Sequence, residues 1–77
     1  MPIFTFIIRD SAAPARDPIQ VELDSREHAR EEAIATLAGL AKDVLPNGDQ
    51  HDFSARVMDE AGTSIFEAQL SLRGHWL

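Results

Sequence analysis

The amino-acid sequence predicts a single α+β domain, in which one amphipathic helix packs on one face of a four-stranded, mostly antiparallel sheet. The central segment 25–45 places its apolar residues at steps of three and four, which is the period of a helix. On both sides of it, short segments alternate apolar and polar residues with the period of two that strands have. The predicted order of elements is therefore β-β-α-β-β.

Two strands are predicted before the helix. Residues 3–9 alternate aromatic and β-branched side chains, as strands do. Residues 10–18 contain two prolines among small and polar residues and are predicted to form a loop. Residues 19–23 then place three aliphatic side chains on one face of a second, short strand.

The helix has clear start and stop signals. Either Asp24 or Ser25 can cap its first amides, and Glu27 stands at the capping-box position relative to Asp24. Pro46 and the asparagine and glycine after it are typical of a helix end. The apolar stripe between these signals indicates that one side of the helix is buried.

A hairpin is predicted after the helix, with strands at 52–58 and 63–72. The turn at 59–62 ends in Gly62, which suits a positive φ. Residues 73–77 are predicted to be a flexible tail of the single domain, 1–77.

The first strand is apolar on both faces, which is typical of a central strand. A right-handed crossover of the helix then favours the strand order 2-1-3-4. The helix is expected to cover Phe4, Phe6, Ile8, Val21, Leu23, Phe53, Val57, Phe66 and Leu70.

Composition excludes several classes of protein. The 77 residues include no cysteine, so neither disulfides nor thiolate metal sites are expected. Thirteen acidic residues outnumber seven scattered basic ones, and the net charge of −6 disfavours nucleic-acid binding. The N-terminus lacks the basic segment of a signal peptide, and no apolar stretch is long enough to cross a bilayer. We expect a cytoplasmic protein that does not contact membranes.

No group of residues carries a catalytic pattern, so we expect no enzymatic activity, no cofactor and no metal. The adjacent carboxylates Asp59 and Glu60 lie at a hairpin tip exposed to water, whereas acid–base catalysis by two carboxylates needs one of them in an apolar pocket, so a role in the turn is favoured. Asp49, His51 and Asp52 could supply ligands to a divalent cation, but an ordinary solvated loop is favoured, because their spacing is not that of a known site.

Two further polar residues have structural interpretations. His28 lies one turn before Glu32 on the polar face of the helix and is expected to form an exposed pair with it. Arg30 falls within the apolar stripe. We expect it to extend along the edge of the core and to pair with a carboxylate such as Asp10 or Glu22, in preference to binding a ligand.

The strongest functional indication is a surplus of apolar residues. If alternate residues of the first strand face the helix, the others face away, and a monomer would expose them. The candidate interface consists of Ile3, Thr5, Ile7, Met58, Ile65 and Trp76. The alternative is that loop 10–18, or Trp76 with Leu77, covers this face.

We therefore expect a small, non-enzymatic protein-interaction module that forms a homo-oligomer, or binds a protein partner, through the outer face of the sheet. A second hypothesis is a regulatory or antitoxin-like acidic protein that binds a basic partner, which clustering of Glu22, Glu31, Glu32 and Glu67 would favour. A third is a binder of a small ligand or a metal.

Three motifs extend over most of the chain. They are Met1-Pro2-x-Phe4-x-Phe6-x-Ile8, then Val21-Glu22-Leu23 leading into Ala29-Arg30-x-Glu32-Ala33, and Val57-x-Asp59-Glu60-x-Gly62 followed by Phe66 and Leu70. Together they resemble a family of short bacterial proteins known only as a domain of unknown function. Where that family commonly has a glycine, this chain has Gln20. The resemblance implies no substrate, cofactor or catalytic residue, and it implies structural roles for Arg30, Asp59 and Gly62.

Overall fold

The computed structural model describes residues 2–11, 17–46 and 48–77. Its strands are β1 (Ile3–Asp10), β2 (Ile19–Glu22), β3 (Gln50–Met58) and β4 (Ser64–Arg73), and its helix is α1 (Arg26–Val44). The predicted β-β-α-β-β order is confirmed. Most of the predicted loop 10–18 lies outside the described residues.

The four strands form one sheet in the order β2-β1-β3-β4, and every neighbouring pair is antiparallel. This confirms the predicted order 2-1-3-4, in which β1 is central. Phe6 lies opposite Val57, and Phe53 lies opposite Leu70. Residues directly opposite each other point to the same face, so these side chains all lie on the side that α1 covers.

Helix α1 begins where the sequence predicts, and Ser25 is its cap. Ser25 has extended backbone angles, and its hydroxyl accepts a hydrogen bond from the His28 amide at 3.1 Å. This bond satisfies one of the amides that have no partner inside the helix. At the other end, the Leu45 amide donates to the Ala41 carbonyl at 3.0 Å, and Pro46 follows.

The core lies between α1 and the inner face of the sheet. Small alanines on the helix allow its backbone to approach the large side chains of the two central strands. The buried apolar residues are Phe4, Phe6, Ile8, Leu23, Ala29, Ala33, Leu37, Phe53, Ala55 and Val57.

One predicted core residue is not covered. Leu70 lies on the inner face but is 40% exposed, and Leu72 on the same face of β4 is 36% exposed. The helix lies closest to β3, and a single helix is too narrow to cover all four strands. The prediction that α1 buries Leu70 is therefore wrong, and the outer part of β4 keeps an apolar inner face open.

The β3–β4 turn has the predicted geometry. Gly62 has a φ of 82°, a conformation that favours glycine. The Asp59 carboxylate accepts hydrogen bonds from the amides of Ala61 at 3.0 Å and Thr63 at 2.9 Å. Asp59 and Gly62, which belong to the motif shared with the resembling family, thus build the turn itself.

Candidate functional site

The outer face of the sheet, on the side away from α1, carries an apolar strip formed by Ile3, Thr5, Ile7 and Met58. Met58 lies directly opposite Thr5, so the strip joins the two central strands. Ile3 is 37% exposed and the other three are half-buried. The helix of the described residues packs on the opposite side, so none of it lies over this strip.

Charged pairs flank the apolar strip on the β3–β4 side. The Arg56 guanidinium donates to the Glu67 carboxylate at 2.7 Å, and Arg73 lies 3.0 Å from the Asp52 carboxylate. The hydrogen bond from Arg73 holds the pKa of Asp52 below its ordinary value, and one from Ser71 adds to the effect. An apolar centre with a charged rim is the usual anatomy of a protein–protein interface.

Polar and charged side chains also line two shallow depressions on this face. One of about 320 Å3 is lined in part by Arg9, Asp52 and Ser54, and the other, of about 200 Å3, adds Ile7 and Arg56. The outer face is therefore uneven, with recesses beside the apolar strip.

Two residues of the predicted interface lie elsewhere. The β3–β4 register shifts between Val57 and Met58, which leaves Ile65 as an extra residue on β4. This bulge breaks the simple alternation, and Ile65 is half-buried and packs against the core. Trp76, which follows β4, is 95% exposed. Trp76 and Leu77 thus leave the strip uncovered, while residues 12–16 of the predicted covering loop lie outside the described residues.

A buried histidine–aspartate pair lies at the opposite end of the inner face from the helix start. His51 is 1% exposed, and its Nε2 is hydrogen-bonded to the carboxylate of Asp10, whose side chain is 4% exposed. The His51 ring stacks on Phe53 with centroids 4.5 Å apart and the planes at 21°. Among the described residues, no group bonds to the His51 Nδ1.

The sequence placed His51 in a solvated loop, and that prediction is wrong. Strand β3 begins earlier than predicted, at Gln50, so His51 takes an inner-face position two residues before Phe53. Every second residue of β1 is buried, and Asp10 is the next such position after Ile8. This position is the sequence signal that could have revealed the pair.

This alternation also separates the three residues considered as metal ligands. Asp52 lies between two inner-face residues and points to the outer face, where Arg73 engages it. His51 points the opposite way, so these ligands do not converge. In the parts of the chain that the structure describes, no group of three or more acidic or histidine side chains is placed to hold a metal ion.

Arg30 packs on an aromatic ring. Its guanidinium lies 5.8 Å from the centroid of the Phe66 ring, which is within the range of a cation–π interaction. The predicted pairing with Asp10 is wrong, because α1 begins beside the Ile3 end of β1, where β2 ends, and Asp10 lies at the other end.

His28 lies between two carboxylates at the start of α1. Its Nδ1 is 2.7 Å from the Asp24 carboxylate, and its Nε2 is 3.7 Å from that of Glu32. The predicted pair with Glu32 is therefore present, with Asp24 as the closer partner. The hydrogen bond to Asp24 raises the pKa of His28, and the same bond lowers the pKa of Asp24.

The remaining carboxylates do not form a common surface. Glu22 and Glu67 lie on the outer face of the sheet, opposite Ile3 and Arg56 in the strand register. Two further glutamates, Glu31 and Glu32, are exposed on the helix, which lies on the other side of the sheet. This placement gives no support to the acidic surface that binding of a basic partner would need.

The Asp59–Glu60 pair is engaged with backbone amides. Asp59 builds the turn described above, and Glu60 accepts a hydrogen bond from the Ile3 amide at 2.7 Å. The second carboxylate thus joins the hairpin tip to the start of β1. Both groups have structural roles in this arrangement.

The part of the chain that the structure describes has no helix that is both long and apolar enough to span a lipid bilayer. In comparison with known proteins, the family model Domain of unknown function (DUF6894) matches residues 3–71. No curated protein and no solved structure matches the chain.

Proposed function

We propose a function for this chain, which belongs to the family described as Domain of unknown function (DUF6894): a small, non-enzymatic protein-interaction module that self-associates through the outer face of its sheet. The observation that carries the proposal is the apolar strip on the two central strands, which no other part of the described chain covers. Antiparallel sheets that face water normally alternate apolar and polar residues, and here the outward positions of β1 include Ile3 and Ile7.

The chemistry of the outer face supports association with a like surface. The strip supplies an apolar centre, while the Arg56–Glu67 and Arg73–Asp52 pairs supply both signs of charge at its side. A second copy related by a two-fold axis presents the same groups, so opposite charges can meet across the contact. Homo-oligomerisation is also a common supplement to the stability of domains this small.

The burial of the histidine–aspartate pair supports a non-enzymatic role. A general acid or base must come within hydrogen-bond reach of its substrate. The side chains of His51 and Asp10 are only 1% and 4% exposed, so a substrate does not reach them in this conformation. Their arrangement instead fits a structural polar pair.

Sedimentation equilibrium on the complete chain, from low to high micromolar concentration, tests the proposal. The wild-type chain is expected to exceed its monomer mass of 8.5 kDa as concentration rises. Ile7→Lys places a charge in the middle of the strip and is expected to return the chain to a monomer.

The matched control is Ile19→Lys. Ile19 is 53% exposed and also lies on a strand, but on the inner face of β2, opposite Phe6. The control is expected to associate as the wild-type chain does, and circular dichroism checks that both variants fold. A wild-type chain that stays monomeric at high micromolar concentration, or equal effects of the two variants, contradicts the proposal.

A further inference from the structure

We propose that a second copy of this chain docks on the free edge of β4, so that two four-stranded sheets join into one continuous sheet of eight strands. This contact differs from the outer-face contact, and it does not depend on it. It leaves the apolar strip open, so both contacts can exist in one assembly. Three features of β4 favour this contact: the direction of its edge amides, its charge pattern and the apolar patch beside it.

The direction of the amides along β4 follows from two hydrogen bonds. The Gly74 amide donates to the Asp49 carbonyl at 2.7 Å, so Gly74 points toward β3. The Ser11 amide donates to the Asp52 carbonyl at 2.9 Å, so Asp52 points toward β1 and its neighbours along β3 point toward β4. Both observations place the even-numbered residues of β4 toward β3.

The odd-numbered residues of β4 therefore direct their N–H and C=O groups to the free edge. These residues are Glu67, Gln69, Ser71 and Arg73. In the described residues β4 pairs with β3 alone, so this edge is available to another strand. The pairing of β4 is regular from Phe66 onward, because the bulge lies before this residue. Strand β4 contains neither proline nor lysine, which commonly protect edge strands from pairing.

The side chains of β4 are complementary to a second β4 in one antiparallel register. With the two-fold axis at Leu70, Glu67 of one copy lies opposite Arg73 of the other, and Gln69 lies opposite Ser71. Two opposite-charge pairs then form on the outer side of the joint, one on each side of the axis. On the inner side the two Leu70 side chains meet, and Leu72 lies opposite Ala68.

An apolar patch beside this edge gives the pairing its second driving force. Ile34 on α1 is 42% exposed, and Leu70 and Leu72 are 40% and 36% exposed. Ile34 and Leu70 line a shallow groove of about 180 Å3 between the helix and β4. Pairing brings the same residues of the second copy against this patch and removes apolar surface of both copies from water.

Single cysteines test the contact, because the chain has none of its own. Leu70 is at a non-hydrogen-bonded position of the proposed pair, where the two Cα atoms lie about 4.5 Å apart, within the range of a disulfide. Under mild oxidation at micromolar concentration, Leu70→Cys is expected to form a disulfide-linked dimer.

The matched control is Leu72→Cys, because Leu72 lies on the same face of β4 as Leu70 and is almost equally exposed. In the proposed register the two copies of this position are offset by four residues, about 13 Å along the strand, so they do not form a disulfide. The double variant Leu70→Cys, Ile7→Lys is expected to cross-link as fast as Leu70→Cys, which separates this contact from the outer-face contact.

The result that supports the proposal is rapid dimer formation by Leu70→Cys while Leu72→Cys stays monomeric. Absence of cross-linking in both variants overturns it, and so does equal cross-linking, which indicates random collision. Loss of cross-linking when Ile7→Lys is added also overturns it, because the copies then meet through the outer face.

Discussion

Replacement of the buried Asp10–His51 pair gives the sharpest prediction about stability. Asp10→Leu removes the partner of the His51 Nε2 and leaves a ring that is 1% exposed without a described hydrogen bond. His51→Phe leaves the Asp10 carboxylate without that imidazole. Asp10→Leu thus leaves a polar ring in the core without its described partner, and His51→Phe takes one buried partner from Asp10, whereas the double change leaves an apolar contact in place of the pair.

The magnitude follows from the burial of both side chains. Breaking a buried polar or charged pair from one side costs about 3 kcal/mol. A chain of this length has a total stability of about 4–11 kcal/mol, so either single change removes a large part of it. With a denaturant slope of about 1 kcal/mol per molar urea, the unfolding midpoint falls by about 3 M.

Urea unfolding followed by circular dichroism measures the effect. The double variant Asp10→Leu, His51→Phe is expected to be more stable than either single variant, because it leaves no stranded polar group. The control Asp52→Asn changes a carboxylate on the same strand as His51 that lies on the outer face with 39% side-chain exposure, and it is expected to leave the midpoint close to that of the wild-type chain. If the two single effects simply add in the double variant, the pair is not coupled and the reasoning is refuted.

Further predictions concern the turn and the helix start. Gly62→Ala is expected to destabilise the chain by about 1–2 kcal/mol, because residue 62 has a positive φ. Gly39→Ala, on the exposed side of α1, is expected to stabilise the chain by about 0.5–1 kcal/mol. Urea unfolding compares the two variants, and equal effects would contradict the turn assignment. Ser25→Ala removes the cap and is expected to cost about 1 kcal/mol, and an unchanged midpoint would show that the cap is dispensable. Because the raised pKa of His28 stabilises the fold below the ordinary histidine pKa, this contribution is lost as the pH rises through the raised value. NMR titration is expected to show that Asp24→Asn lowers the pKa of His28, and an unchanged value would exclude Asp24 as the cause.

Much of the architecture could be predicted because it is encoded locally. The period of the apolar residues in 25–45, the cap and the proline after the helix define α1 within one residue of its observed ends. The strand order follows from the apolar character of β1 on both faces and from the handedness of the crossover. Each of these signals is contained in a few consecutive residues or in a general rule of chain connection.

The errors concern features that depend on distant partners. Burial of His51 requires Asp10, which is 41 residues away in sequence and reaches it through the β1–β3 register. Ile65 changes its environment because of a bulge that depends on how β3 and β4 pair. Leu70 is exposed because the position of α1 over the sheet leaves β4 partly uncovered, which no local pattern specifies.

Only some of the residues predicted for the candidate interface lie together on the outer face of the sheet. The alternation of β1 was enough to place Ile3, Thr5 and Ile7 on one face, and the structure places Met58, which was also predicted, directly opposite Thr5 on that face. The predicted order 2-1-3-4 already placed β4 at an edge, but the sequence did not show which of its amides are free, because that depends on the register of the whole sheet.

A concentration series of amide NMR spectra tests the central claim, self-association through the outer face, most directly. As concentration rises, we expect the amide signals of Ile3, Ile7 and Met58 to shift or broaden, while those on the exposed side of α1, such as Ala35, stay unchanged. Spectra that are identical from low to high micromolar concentration, or changes confined to α1, would contradict the account.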